Sequence, residues 1–515
     1  MRLVVAAFLV AGCGEDTDEL TITIDSGAIH GGALDGIRHF FGVPYAAPPL
    51  GANRWRAPQP VEPWSDVRPA LELGSQCPQS VSLAGTSNDE DCLFVNVWAP
   101  SGARDLPVMV WLHGGAFILG SGGDKYYDGS NLAKQGVVVV SLNYRLGMFG
   151  FLAHPAFRTD DPAFPTAGNY GLEDQHAALE WVQRNVAAFG GDPKHVTLFG
   201  ESAGGMSTCF LYLSSRSHGL FEKAIAESGL CSSPLLEIPR DVAETQAMAK
   251  ATALGCTDGD LVACLRGKTS DEILAQTSLP APTDPAGGPV YQPAILPGSL
   301  PTVDGYVVEQ RMADALAAGN FEPRPLILGN TKDEGTLFHS PLFAQAVPDE
   351  AGLRAALATR FSPTVVDGIV AHYPITTFGS ANRTLGEITG DAFFICPSRR
   401  FAKAVTDHGA ALYRYSFEQA LTAPFAPDLG VFHSSELPFV FGNDTYPLGR
   451  IGDATWLSTA IQAYWIQFAK TANPNVMDQP AWPTYDGTEP QLVFGAQLAT
   501  STHLKDDVCA FWDAI

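Results

Sequence analysis

The segment Thr197–Thr208, TLFGESAGGMST, sets Ser202 between Gly200 and Gly204. A serine hydroxyl presented on so tight a turn can serve as a nucleophile, provided a base takes its proton and an acid orients that base. An apolar run, His195–Phe199 (HVTLF), precedes the turn, and a small-residue run compatible with a helix follows. A strand leading in and a helix leading out put the serine on a strained strand tip, where side chains at the two flanking positions would collide. The helix starting at Ala203 aims its free N–H groups and its dipole at the reaction centre, which favours a developing oxyanion.

In this strand–turn–helix setting the partners follow in the chain order serine, acid, histidine. Of twelve histidines, only His339, His372, His408, His433 and His503 lie far enough downstream. The acid should come just after a strand. Pro325–Asn330 (PLILGN) leads into Asp333 and Glu334, and spacing leaves both open. The base should follow the next strand, Leu412–Phe417, which removes His339, His372 and His408. His503 lies in a polar C-terminal stretch near a lysine, whereas His433 sits in a loop beside an apolar segment (LGVFHSSELPFVFG) and is selected. A histidine beside apolar residues is commonly structural, so chain order carries this choice. Oxyanion donors should come from a second loop: Trp111–Phe117, WLHGGAF, lets backbone N–H groups approach a carbonyl oxygen closely. HGGA lacks the histidine–carboxylate spacing of metal motifs, so neither metal nor cofactor is expected.

Positioning these groups requires several strands. Apolar, β-branched runs recur at Leu20–Ile24, Pro107–Leu112, Val137–Leu142, Val196–Phe199, Lys223–Glu227, Leu326–Leu328 and Leu412–Tyr415. Several of these are short continuous runs, as expected of strands buried on both faces of a parallel sheet. Asn169–Phe189 carries Leu172, His176, Leu179 and Val182 at helical spacing and stops at Gly190-Gly191. Strands alternating with helices predict an α/β architecture. Pro234–Asn320 holds alanine-rich helical stretches (Val242–Leu254, Asp271–Gln276) between proline-rich loops, and reads as helical decoration on the same sheet. With no internal repeat and no long linker, residues 20–515 are expected to form one domain.

The chain has 515 residues, 46% of them hydrophobic, and a net charge of −24. Phosphate binding needs basic patches, so nucleic acid is excluded as a partner. Met1–Cys13, MRLVVAAFLVAGC, has one arginine and then a short apolar run. It falls short of the ~20 residues that span a bilayer and fits an export signal. Val10-Ala11-Gly12-Cys13 resembles the lipobox of bacterial lipoproteins. That resemblance implies a signal peptide over 1–12, lipidation of Cys13, a polar tether over 13–19 and a place in the cell envelope, with the lipid as the sole membrane contact. The alternatives are an ordinary signal peptide with Cys13 incidental, which makes the protein secreted, or a buried first strand. Nine cysteines agree with export, and setting Cys13 aside leaves eight. Cys77 and Cys92, like Cys256 and Cys264, bracket short polar loops.

The motifs together resemble the type-B carboxylesterases, the carboxylesterase/cholinesterase branch of the α/β-hydrolases. The resemblance rests on FFGVPYAAPPLGANRW (Phe40–Trp55), EDCLFVNVWAP (Glu90–Pro100), WLHGGAF, LNYRLGMFGFL (Leu142–Leu152), NYGLEDQ (Asn169–Gln175), FGGDPKHVTLFGESAGG (Phe189–Gly205), GNTKDEG (Gly329–Gly335), GVFHSSELPFVFG (Gly430–Gly442) and CAFWDAI (Cys509–Ile515). It implies a large, mostly parallel twisted sheet flanked by helices, with helical insertions forming the active-site rim. It implies Ser202 as nucleophile, Glu334 as acid and His433 as base, with the backbone N–H groups of Gly115, Ala116 and Ala203 as the oxyanion hole. Glu201 and Ser228 match positions that flank the triad, and Arg145 and Asp174 match a structural ion pair. The implied disulfides are Cys77–Cys92, Cys256–Cys264 and Cys396–Cys509. Cys209 is then expected as a small hydrophobe on the nucleophile helix, and Cys231 as a free thiol.

The implied activity is hydrolysis of a carboxylic ester through an acyl-enzyme, with a small-molecule ester and water as partners. Two alternatives stand beside it: a non-catalytic binding or adhesion protein on the same fold, and the same triad acting on amides, carbamates or lactones. The presence of all three triad residues weighs against the first. One departure bears on specificity. In cholinesterases the loop inside the first disulfide carries a tryptophan that stacks on choline; here that loop, PQSVSLAGTSNDED, has no aromatic residue.

Overall fold

The computed structural model describes residues 19–515 apart from 81–84, 162–163, 234–236, 278–299, 341–342, 423 and 426. The expected signal peptide, Cys13 and all of the tether but Glu19 lie outside the described residues. An eleven-stranded sheet forms the centre. In chain order its strands are β1 (Gly32–Leu34), β2 (Ile37–Pro44), β3 (Phe94–Pro100), β4 (Leu106–Leu112), β5 (Val138–Leu142), β6 (Gly191–Glu201), β7 (Lys223–Glu227), β8 (Leu326–Thr331), β9 (Leu412–Phe417), β10 (Gln491–Phe494) and β11 (Leu498–Ser501). Across the sheet they run β11-β10-β9-β8-β7-β6-β4-β5-β3-β2-β1. The seven from β10 to β5 are parallel, and antiparallel strands close both edges.

Both faces of the parallel strands are covered, which is why their sequences read as continuous apolar runs rather than alternating ones. Side chains still alternate between faces. On β4, Val108, Val110 and Leu112 enter one core, and Met109 and Trp111 enter the other. β7 and β8 repeat this, with Ala224, Ala226, Leu326 and Leu328 on the first face and Ile225 and Ile327 on the second. Helices α1 (Tyr170–Asn185) and α2 (Ala203–Leu213) cover the first face. Each fully buried valine or leucine on such a face contributes about 1.5–3 kcal/mol. Helix α1 continues as a tighter turn over Val186–Phe189 and stops at Gly190, whose φ of 90° suits glycine. Its Asp174 pairs with Arg145, both buried, at 2.7 Å. Helix α3 (Arg240–Ala253) and the short helices Leu261–Arg266 and Ser270–Leu274 pack with Trp55, Met148 and Phe157 in a separate cluster beside the sheet. Between β8 and β9 lies α4 (Ala381–Gly390). Helix α5 (Thr455–Thr471) covers the second face, and α6 (Asp506–Asp513) ends the chain. Among the described residues no helix is long and apolar enough to cross a membrane. The architecture is that of an α/β-hydrolase.

Two expectations fail. Thr21–Ile24 does not join the parallel sheet. It pairs antiparallel with Gly27–His30 across the two-residue turn Asp25-Ser26, in a small sheet completed by Arg68–Pro69. The run is only partly buried, and so tight a hairpin satisfies its backbone locally. Cys209 and Cys231 are not free but form a disulfide, with Cα atoms 5.8 Å apart. Cys209 faces the core from α2, and Ser228, Leu230 and Ser232, all with positive φ, fold the loop after β7 back so that Cys231 meets it. That return path is set by three-dimensional packing, and nothing in the spacing of the two cysteines reveals it. The bonds Cys77–Cys92, Cys256–Cys264 and Cys396–Cys509 form as the resemblance implies.

Candidate active site

The parallel strands end along one edge of the sheet, the usual place for a site in such folds. Gly115 and Ala116 follow β4, Ser202 follows β6, Glu334 follows β8, and His433 lies in the longer loop after β9. Leu112 on β4 pairs with Gly200 on β6, and Glu201 with Glu227 on β7. Ser202 follows at φ 56° and ψ −121°, and α2 begins at the next residue. A backbone held there costs on the order of 1–3 kcal/mol and must be over-determined by its surroundings. Its N–H donates to the Glu227 carbonyl at 3.0 Å, and its carbonyl accepts from the Met206 N–H at 2.8 Å. A Cβ on Gly200 would lie 2.6 Å from the Gly204 carbonyl carbon and 2.8 Å from the Leu112 oxygen; one on Gly204 would lie 2.8 Å from the His113 oxygen. Both glycines are therefore required by backbone packing, as the motif predicts.

His433 and Glu334 meet from separate loops. Glu334 is fully buried beyond β8, where its Oε1 accepts from the Thr331 N–H at 2.9 Å and the Asn330 amide at 3.2 Å. Its Oε2 lies 2.6 Å from His433 Nδ1. A carboxylate only accepts, so Nδ1 carries the proton and Nε2 is the free base of the neutral ring. The alternative acid, Asp333, is committed elsewhere: it pairs with Arg383 and accepts from the Val431 N–H at 2.7 Å. The alternative histidine, His503, is half exposed and pairs with Asp506 at 2.9 Å. The rings of Phe338 and Phe394 flank His433, each at 5.0 Å between centroids.

Glu201 links the two halves. Its Oε1 accepts from the Ser434 hydroxyl at 2.6 Å and lies 3.2 Å from His433 Nε2. The second approach has the distance of an ion pair without the angle of a hydrogen bond, so Nε2 stays uncommitted among the described residues. A Cβ on Gly114 would sit 2.7 Å from Glu201 Oε2 and 3.1 Å from Ser202 Cβ. Gly114 thus packs against both Glu201 and Ser202. Burial opposes charge on His433, but Glu201 and Glu334 outweigh it and hold the pKa above its ordinary value. Burial pushes Glu201 up to about 7, against the opposing pull of His433 and the Ser434 hydrogen bond.

Further buried carboxyls lie behind. Burial pushes Glu227 up to about 8, with the Trp465 indole donating to it at 2.8 Å. Burial also holds Glu436 well above the usual range, and the Ser228 hydroxyl donates to it at 3.2 Å. A buried carboxyl facing like charges keeps its proton, which limits the negative charge around Ser202. Sequence reasoning missed Ser434, Glu227, Glu436 and the two phenylalanines. Glu227 and Ser434 adjoin residues that were singled out, which is the only signal that could have flagged them.

The loop after β4 turns through three successive positive φ values, Gly115 at 103°, Ala116 at 53° and Phe117 at 61°. Among the described residues no acceptor takes the N–H groups of Gly115 and Ala116, and the Ala203 N–H lies in the first turn of α2, where the helix offers none. Ala116 is exposed. His113 supports the loop from beneath: its Nδ1 lies 2.7 Å from the Gly114 carbonyl and its ring stacks on Tyr144 at 4.3 Å. Burial lowers its pKa to about 4, so it is neutral. No group of three or more metal-ligating side chains is found among the described residues. The arrangement brings together a strained serine, an imidazole bonded to a buried carboxylate, and backbone N–H groups without an acceptor among the described residues.

The model of the carboxylesterase family matches residues 18–512. The chain is 39% identical over 492 residues to the para-nitrobenzyl esterase of Bacillus subtilis (strain 168), covering 93% of this chain and 95% of that protein. It is 35% identical over 539 residues to the acetylcholinesterase of Bungarus fasciatus, covering 96% of this chain and 86% of that protein. A solved PNB esterase structure matches with a TM-score of 0.82 at 34% identity, over 96% of this chain and all of the other.

Proposed function

The chain belongs to the carboxylesterase family and is a hydrolase acting on carboxylic esters, and we propose that it works by an acyl-enzyme mechanism with Ser202, His433 and Glu334 as its triad. The observation that carries this reading is the buried 2.6 Å contact between His433 and Glu334, beside the elbow that presents Ser202. His433 Nε2 takes the Ser202 proton as Oγ attacks the ester carbonyl carbon. The carbonyl π electrons move onto oxygen, and the N–H groups of Gly115, Ala116 and Ala203 hold the oxyanion. As the intermediate collapses, the imidazolium protonates the leaving alcohol. His433 then deprotonates a water that attacks the acyl-enzyme, and returns the proton to Ser202 as the acid departs. Glu334 keeps Nδ1 protonated throughout and stabilises the imidazolium.

Choline esters are outside this proposal, because Pro78–Asp91 supplies no aromatic ring for a quaternary ammonium. One experiment tests both parts. Wild type and Ser202→Ala are assayed on p-nitrophenyl butyrate, and wild type also on acetylcholine beside its uncharged carbon isostere. The variant is expected to fold and to lose activity by on the order of 10⁶-fold in kcat, with no preference for the cationic ester in the wild type. Substantial turnover by the variant removes Ser202 from the role of nucleophile, and a strong preference for acetylcholine ends the specificity reading.

A further inference from the structure

Asp333 takes no part in the steps above, yet it is 6% exposed, ion-paired, and bonded to the loop that carries His433. Glu334 has its Oε1 fixed to its own turn by Asn330 and Thr331. His433 arrives from a loop 99 residues away. Nothing in the Glu334–His433 contact registers one loop against the other, so that register needs bonds of its own.

The structure supplies them just ahead of the histidine. The Asp333 N–H donates to the Val431 carbonyl at 2.9 Å, and the Val431 N–H returns to Asp333 Oδ2 at 2.7 Å. Thr336 Oγ1 lies 2.6 Å from the Leu429 carbonyl oxygen. Arg383, from α4, pairs with Asp333 Oδ1 and donates through Nη1 to the Asp428 carbonyl at 3.1 Å. Gly430, at φ 66°, passes so close that a Cβ there would lie 2.9 Å from Arg383 Nη1 and 3.0 Å from Asp333 Cγ. Arg383 is itself held by Glu387 at 3.2 Å, and Lys505 on the far side pairs with Glu387 at 3.5 Å and with Asp391 at 2.5 Å.

We propose that Asp333 and Arg383 are positioning residues that clasp the His433 loop onto the Glu334 turn and so set the Nδ1–Oε2 contact. The proposal rests on the triad reading. Asp333 faces Arg383, Glu387 and Lys505, while the charges facing His433 are Glu201 and Glu334. Loosening the clasp withdraws Glu334 from the ring, which removes one of the two carboxylates that raise the His433 pKa. A general loss of packing would lower the amount of active protein without moving that titration.

The test uses the full chain with Asp333→Ala, Asp333→Asn, Arg383→Lys and Ser202→Ala, assayed on p-nitrophenyl butyrate. The first three are normalised by titrating active sites with an organophosphate, and Ser202→Ala by the amount of folded protein. Asp333→Ala is expected to lower kcat roughly 100-fold, the cost of about an ångström of misplacement, with KM within about twofold of the wild type. Its acid limb is expected at lower pH. Arg383→Lys, which keeps the charge but loses the fork, should fall between it and the wild type. Should Asp333→Ala not fold, Asp333→Asn carries the test, because its side-chain oxygen can still accept from Val431 while the ion pair is gone. Wild-type kcat and an unmoved acid limb in both Asp333→Asn and Arg383→Lys, with Ser202→Ala inactive, overturn the clasp and leave the triad reading standing. Activity in Ser202→Ala overturns both.

Discussion

The elbow around Ser202 and the pairing of His433 with Glu334 are built on opposite plans. Within Thr197–Thr208 a strand, a turn at φ 56° and a helix follow one another without interruption, and backbone contacts at Gly200 and Gly204 enforce the geometry. His433 and Glu334 lie 99 residues apart and depend on two loops being brought into register beyond β8 and β9. The first half is specified by which residues the chain lacks side chains at. The second is specified by hydrogen bonds that exist only once the sheet has formed. Glu201 spans the two, since it ends the elbow's strand and its carboxylate faces His433.

With Ser202 itself left in place, breaking the long-range half should have the largest effect. Glu334→Gln is expected to lower kcat by on the order of 10³–10⁴, because an amide can favour the wrong imidazole tautomer. A variant that keeps more than about a tenth of wild-type kcat would show that the pairing does not hold the tautomer.

Removing the bridge should have a smaller effect and a definite sign. The base works only when deprotonated, and its pKa in the folded protein is raised by Glu201 and Glu334, so activity is lost as pH falls through a value above the ordinary ~6.5 of histidine. In Glu201→Gln one of these carboxylates is gone, and the acid limb of kcat/KM should move to lower pH. The limb belongs to the His433–Glu201 pair together, because burial raises the Glu201 carboxyl while His433 beside it pulls the other way. A limb that stays in place would separate Glu201 from the histidine.

The smallest effect on activity is expected from the disulfide behind the elbow. The Cys209–Cys231 bond ties α2 to the loop after β7, its cysteines 22 positions apart. Replacing both cysteines by alanine should lower the unfolding free energy by about 2–4 kcal/mol in denaturant titrations, mainly through the freed unfolded chain, and change kcat little. An unchanged midpoint would mean that the bond constrains nothing, while a collapse of kcat would mean that the elbow is less self-contained than its glycines suggest.

The contrast also explains what was legible beforehand. The elbow, the donor loop at Gly115 and Ala116, and the strands β4 to β9 could be read from contiguous residues, because short-range sterics and periodicity act within a few positions. Chain order then selected His433. Spacing left Asp333 and Glu334 level, since neighbours on one turn differ only in which loop each side chain meets. Thr21–Ile24 has the residues of a central strand, yet its environment made it half of a hairpin.

By itself the sequence determined the elbow's backbone, the succession of strands and helices, and the order in which serine, acid and histidine appear, since these depend on local sterics and on patterns repeating every two to four residues. Spacing left Asp333 and Glu334 level and the resemblance pointed to Glu334, but only the tertiary structure showed Glu334 meeting His433, Cys209 joining Cys231, and Glu201 lying 3.2 Å from the imidazole. Those contacts form between segments whose separation along the chain carries no information about their distance, and they exist only after burial of the two apolar faces of the sheet has brought the strand ends together.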